Sequence, residues 1–246
     1  MENSLTAFRW AAAEGYRYLE TDVRATRDGV VVVMHDPTLD RTTDASGEVE
    51  KLNWAKVKTA RVGGREPVCQ LADLLEELPE ALLNIDVKAD SAVVPVLELL
   101  RRTSVWHRVC LASFSEARLQ RLRRAAGPGL LTSMGPASAA TLRLRSVSLF
   151  PRTVRGTVRE SAAAPMRGEL AQLPLRVCGI PVIDHTLVRY AHHCGLEVHV
   201  WTVNRAAEMH VLLNLGVDGV ITDRPDVLRE VLRARGCWPE ADTQTA

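Results

Sequence analysis

The chain has no apolar run long enough to cross a bilayer. Its opening residues, Met1 to Arg9, lack the charged-then-apolar order of a secretory signal. The five cysteines, Cys69, Cys110, Cys178, Cys194 and Cys237, are odd in number and never fall in a CxxC spacing, which argues against a disulfide scaffold or a zinc site. Reduced thiols and a cytoplasmic location are the expectation. Charge of one sign is missing too: 31 Lys and Arg stand against 30 Asp and Glu, a formal net charge of +1. That balance gives no ground for nucleic acid or an acidic surface as partner. No repeat of fixed length is present, and no motif sets an oligomeric state.

At 246 residues, 46% hydrophobic and 25% charged, the chain has the size and composition of a single eightfold βα barrel. Periodicity predicts an alternating series. Asn3 to Glu14 reads as a helix capped by Asn3 or Ser4 and stopped by Gly15. Strands follow near 17–23 and 30–34, then a short helix at 71–78 and a strand at 82–87. Further along come helix 91–102, strand 108–113, helix 116–126, and short strands at 130–133 and 176–180. Helix 186–194, strand 197–203, helix 206–215, strand 219–222 and a helix from Pro225 to Arg235 complete the pattern. Strands alternating with helices of this length predict parallel βα units. Two segments interrupt them: a polar excursion, Asp40 to Pro67, placed to cover a barrel mouth, and an arginine-rich stretch, Leu142 to Leu173, read as a loop or irregular helix. One domain over 1–238 is expected, with 239–246 as a disordered tail.

The chemistry-bearing residues gather at strand ends, where barrel enzymes place their working groups. Glu20 and Asp22, two apart on a strand, share a face. Asp86 and Lys88 repeat that spacing at the end of Leu-Asn-Ile-Asp-Val-Lys, and Ser113 with Phe114, Trp201 with Asn204, and Asp223 with Arg224 end later strands. Adjacent carboxylates repel unless a positive charge lies between them, and a hard divalent cation with oxygen ligands is the simplest remedy. The plain alternative is a pair of solvated strand-end charges. Three carboxylates around such an ion leave one net negative charge, and a phosphodiester brings another, so Lys88 is placed to supply the missing cation. His35, ending the run Val30-Val-Val-Val-Met-His-Asp36, brings an imidazole, the side chain type suited to proton transfer at neutral pH, close to the carboxylates in sequence. Phe114 and Trp201 are candidates for contact with ligand or for barrel packing. The other six histidines carry no such context.

This pattern closely resembles the glycerophosphodiester phosphodiesterase family, whose Glu-x-Asp-Val…Thr-x-Asp-Gly…His-Asp is met by Glu20, Asp22, Val23, Thr26, Asp28, Gly29, His35 and Asp36. The likeness continues through Glu2-Asn-Ser4, Asn84-Ile-Asp-Val-Lys88, Ala112-Ser-Phe114, Gly195 to Asn204 and Gly216 to Pro225. It implies a TIM (β/α)₈ barrel that hydrolyses glycerophosphodiesters to glycerol 3-phosphate and an alcohol, helped by Mg²⁺ or Ca²⁺. By position it implies Glu20, Asp22 and Asp86 as metal ligands, Asp86 standing where many members carry Glu. It implies His35 as one of two catalytic histidines. The family begins with a strand ending in His-Arg-Gly, and this chain opens at Met1-Glu-Asn-Ser4, directly after that place. The expectation is therefore a barrel whose first strand is missing from this chain, with the true start upstream. Two other readings stay open: a catalytically impaired barrel that binds metal or a phosphorylated small molecule, and a metal-dependent aldolase or isomerase on the same fold.

Overall fold

In the computed structural model, which describes residues 1–148 and 170–238, Ser4 opens the first helix. Its hydroxyl accepts from the Ala7 amide at 3.3 Å, satisfying one of the donors that every helix start leaves orphaned. This helix, α1, spans Leu5–Ala13, and Gly15, at φ 99°, turns the chain into the first strand. The chain forms two compact units, Met1–Thr132 and Ser133–Ala246.

In the first unit, β1 (Tyr18–Ala25) lies between β2 (Val31–Val33), antiparallel on one side, and β5 (Leu82–Val87), parallel on the other. Between them come the short helix α2 (Trp54–Val57), the two-residue strands β3 (Arg61–Val62) and β4 (Glu66–Pro67), and helix α3 (Leu71–Glu77). Beyond β5, α4 (Val93–Thr103), β6 (Val109–Ala112), α5 (Glu116–Ala126) and β7 (Leu131–Thr132) extend the sheet in the order β2-β1-β5-β6-β7. Leu19 and Val23 of β1, Leu83, Ile85 and Val87 of β5, and Val109 and Leu111 of β6 pack in one core with Leu97 and Leu100 of α4 and Leu119 and Leu122 of α5. Each such side chain contributes about 1.5–3 kcal/mol on burial. Strand alternation then commits the other residues, Glu20, Asp22, Asn84 and Asp86, to the opposite face of the sheet.

The excursion from Asp40 to Pro67 has a core of its own. Leu39, Val49, Val57, Ala60, Val62 and Val68 are buried with Val32 and Met34. Arg108, only 8% exposed, was not singled out by the sequence. Its guanidinium donates to the carbonyls of Leu75, Leu78 and Ala81 at 2.6, 3.1 and 3.2 Å, tying the C-terminal end of α3 to the start of β6.

The second unit holds α6 (Pro136–Ser148), β8 (Leu170–Pro174), the hairpin β9 (Arg176–Val177) and β10 (Ile180–Pro181), then α7 (His185–His193), β11 (Glu197–Trp201), α8 (Ala206–Leu215), β12 (Gly219–Val220) and α9 (Pro225–Ala234). Here β11 is central, parallel to both β12 and β8. Asp184 caps α7 by accepting from the Leu187 amide at 2.8 Å, and Pro225 starts α9.

Two expectations are corrected. The stretch 142–173 is not irregular at its ends, since 142–148 continue α6 and 170–173 belong to β8; the part from 149 to 169 lies outside the described residues. The parallel strand expected at 176–180 is instead β8, and 176–181 fold back as a hairpin. Cys178 and Gly179 both take positive φ, 49° and 80°, the geometry of a two-residue turn and not of a strand. Residues 239–246 lie outside the described residues. Among the described residues no helix is long and apolar enough to cross a membrane.

Candidate active site

Asp22 of β1 and Asp86 of β5 are register partners across the parallel ladder, and both are buried. The chain then places Lys88 just past the end of β5, its amide bonded to the Val23 carbonyl at 3.1 Å. Its ammonium reaches back between the two carboxylates, 2.8 Å from Asp22 Oδ1 and 2.7 Å from Asp86 Oδ2. Asn3 donates to the other oxygen of Asp22 at 3.1 Å. Burial pushes the Asp86 carboxyl up from its usual range, against the pull of Lys88. Burial alone would lower the Lys88 ammonium, but Asp86 and Asp22 outweigh it and the net shift is upward. The exposed Phe114 ring lies with its centroid 5.2 Å from Lys88 Nζ, a cation–π contact.

Glu20 lies two residues before Asp22, opposite Asn84, and is exposed. Among the described residues, no three His, Cys, Asp or Glu side chains are grouped so as to hold a metal ion. The ammonium of Lys88 is what fills the space between Asp22 and Asp86. Two observations nevertheless fit a hard divalent cation. Asp86 Oδ1 is buried with no hydrogen-bond partner, a costly state for a carboxylate oxygen, and the donor set is all oxygen.

His35 follows β2 on the stretch that leaves the sheet beside Asp22, where the Met34 amide donates to the Asp22 carbonyl at 2.9 Å. Arg24 of β1 donates to the His35 carbonyl at 3.0 Å. The imidazole is half exposed, with Nδ1 2.7 Å from Asp36 Oδ1. Hydrogen bonds from Arg41 first, then from His35, hold the Asp36 carboxyl well below the usual carboxylate range. An ionised carboxylate only accepts, so Nδ1 carries a proton toward Asp36, and in the neutral ring the lone pair is on Nε2.

The remaining strand-end candidates have structural partners. Ser113 donates to the Val87 carbonyl at 2.9 Å and accepts from Arg118 at 2.9 Å. Trp201 closes β11 in the second unit. Asn204 accepts from Thr222 and from the Asp223 amide, both at 2.9 Å, and Arg224 pairs with Asp226 at 2.6 Å. Sequence reasoning missed the roles of Asn3, Arg24, Glu2 and Arg41. Asn3 and Glu2 sit in the Glu-Asn-Ser opening, whose only signal was its resemblance to a family motif. Arg24, two positions past Asp22, was the one whose strand spacing could have revealed it.

The description "Glycerophosphoryl diester phosphodiesterase family" is matched by residues 1–227. A Mycobacterium tuberculosis protein named "Probable glycerophosphodiester phosphodiesterase 2" is 44% identical over 241 residues, covering 97% of this chain and 88% of that protein. The glycerophosphodiester phosphodiesterase of Caldanaerobacter subterraneus is 27% identical over 96% of this chain and 93% of its own length. Among solved structures, the glycerophosphodiester phosphodiesterase from Agrobacterium tumefaciens superposes with a TM-score of 0.71 at 26% identity, covering 92% of each chain. Its structural neighbours are TIM-barrel enzymes, and the parallel α/β sheets described above are of that class. On its sequence, its fold and its relatives, the chain belongs to the glycerophosphoryl diester phosphodiesterase family.

Proposed function

We propose that this chain hydrolyses glycerophosphodiesters to sn-glycerol 3-phosphate and an alcohol, with Glu20, Asp22 and Asp86 holding Mg²⁺ or Ca²⁺ and His35 moving a proton. The observation that carries the reading is the pair of buried carboxylates, Asp22 and Asp86, in register near the end of the parallel β1–β5 ladder with a single ammonium between them. Such a centre is electron-rich, preformed and one cation short of binding an anionic substrate. When bound, the divalent cation supplies polarisation of a phosphoryl oxygen. Lys88 then pairs with the phosphate charge, its ammonium already held charged by the two carboxylates. Phe114 offers an exposed apolar wall beside that ammonium for the carbon skeleton of the diester. His35 accepts a proton at Nε2 from the attacking water and returns it to the oxygen of the departing alcohol, its ring orientation fixed through Nδ1 by Asp36. A cytoplasmic location belongs to the same reading and rests on the odd number and scattered spacing of the cysteines, which suit reduced thiols.

The test is release of sn-glycerol 3-phosphate from glycerophosphocholine with Mg²⁺ or Ca²⁺ present and after chelation. Turnover that disappears on chelation and returns with the cation supports the proposal. Cation-dependent binding of the diester with no product would point instead to a binding barrel, and turnover indifferent to chelation would remove the metal from the account.

A further inference from the structure

The Arg41 guanidinium uses both of its edges. Nε and Nη2 donate to Asp36 Oδ2 and Oδ1 at 2.6 and 3.0 Å, while Nη1 and Nη2 donate to Glu2 Oε2 and Oε1 at 2.8 and 2.7 Å. Asp36 Oδ1 therefore accepts from Arg41 and stands 2.7 Å from His35 Nδ1 with the same atom. A planar five-donor fork can satisfy two carboxylates in this way, and an ammonium cannot. We propose that Arg41 is a positioning residue for His35: clasped between Glu2 and Asp36, it fixes the carboxylate that orients the imidazole and sets how readily His35 takes up a proton. The inference rests on the reading of His35 as a proton-transfer group.

The charges around the imidazole give the direction. From its own loop come Asp36 and Arg41, from the N-terminal segment Glu2, and from β1 Arg24, whose Nη1 lies 3.6 Å from Glu50. Arg24 and Glu50 offset each other. Glu2, Arg41 and Asp36 together present one net negative charge to His35. Without Arg41 two negative charges remain, and negative charge favours the imidazolium. A proton acceptor must be neutral, so loss of Arg41 moves the acid limb of activity to higher pH. Because the Arg41 and His35 side chains are each 52% exposed, solvent screens the effect to about half a pH unit. Loss of Glu2 acts in the opposite sense, since an uncompensated Arg41 then faces the dyad.

The experiment compares Arg41→Met, Arg41→Lys, Glu2→Gln and His35→Ala in the full chain. It reads the pH profile of kcat on glycerophosphocholine and the imidazole NMR titration of His35, assigned by the resonance that His35→Ala removes. Arg41→Met should raise the His35 pKa and the acid limb together by about half a unit and lower the plateau kcat. Glu2→Gln should move both downward, which keeps the proposal testable if Arg41→Met folds poorly. Arg41→Lys should restore the pKa, since the charge returns, but not the full kcat, since the double clasp does not. An unmoved His35 titration in folded Arg41→Met and Glu2→Gln would overturn the inference and leave Arg41 a loop fastener. Wild-type kcat in His35→Ala would sink the proton-transfer reading instead, a result separate from any movement of the titration.

Discussion

Replacing Lys88 with Met probes the centre from its cationic side. Met has nearly the same length and no charge, so the substitution leaves Asp22 and Asp86 facing each other with no cation between them. The ammonium lies 2.8 and 2.7 Å from the two carboxylates, and its side chain is 14% exposed. At an effective dielectric near 20, each contact is worth roughly 6 kcal/mol of gross Coulomb attraction, most of it offset by the cost of desolvating the charges. Breaking a buried pair by removing one partner costs about 3–5 kcal/mol, because the partner stays buried and unpaired. For a chain of this length that loss corresponds to a fall in Tm of roughly 6–20 °C. The assay is thermal or urea unfolding in metal-free buffer, repeated with increasing Mg²⁺ or Ca²⁺. A divalent cation should stabilise Lys88→Met more than the wild type, since in the variant it meets two uncompensated carboxylates and no competing ammonium. A variant within about 1 kcal/mol of wild type without metal, or one that gains no more from the cation, would refute the reasoning.

Glu20→Gln and Asp22→Asn should each abolish metal-dependent turnover in saturating Mg²⁺ or Ca²⁺, because a neutral amide is a poor exchange for an anionic ligand; turnover near wild type would remove that residue from the ligand set. His35→Ala should lower kcat by roughly 10²–10⁴ while calorimetry shows cation binding unchanged, and lost binding would make His35 a ligand instead. Arg108→Met should destabilise the first unit by about 2–4 kcal/mol in urea unfolding, since three backbone carbonyls lose a charged donor, and a neutral effect would mean water replaces the guanidinium. Burial pushes the Cys69 thiol up to about 12, so a disulfide reagent at pH 8 should leave it unmodified in native protein while it reacts after unfolding. The sign follows: the unfolded thiol ionises first as pH rises past its ordinary value near 9, so Cys69 weakens the fold only above that pH, and fast native labelling of Cys69 would contradict its burial.

Where local pattern and tertiary packing agree, the elements fell where the sequence placed them. The strand Leu82–Val87 and the helices Glu116–Ala126 and Ala206–Leu215 occupy the ranges read from alternation and helical spacing, the first of the helices with Ser115 as its cap. The strand Leu170–Pro174 was hidden inside an arginine-rich stretch with no period and takes its identity from pairing with β11. The core of the excursion was equally hidden, because Val49, Val57, Val62 and Val68 are spaced by contact and not by any repeat. At the site, the period of two put Asp22 and Asp86 on the face opposite the helices, and register completed the pair. The clasp of Arg41 on Glu2 joins residues 39 positions apart in irregular backbone, where no periodicity exists to announce it. Lys88 was assigned to the phosphate on charge and strand position; that it bridges two of the carboxylates assigned to the metal emerges only in three dimensions.

The central claim is that one divalent cation and the Lys88 ammonium share the same pair of carboxylates. The most direct measurement is a crystal structure of the full chain soaked in Mn²⁺ or Ca²⁺, with the ion located by its anomalous scattering. The account predicts one ion with oxygens of Glu20, Asp22 and Asp86 at about 2.0–2.6 Å and the Lys88 ammonium withdrawn from between the aspartates. An ion bound elsewhere, in crystals of active enzyme in which Lys88 still bridges Asp22 and Asp86, would contradict it.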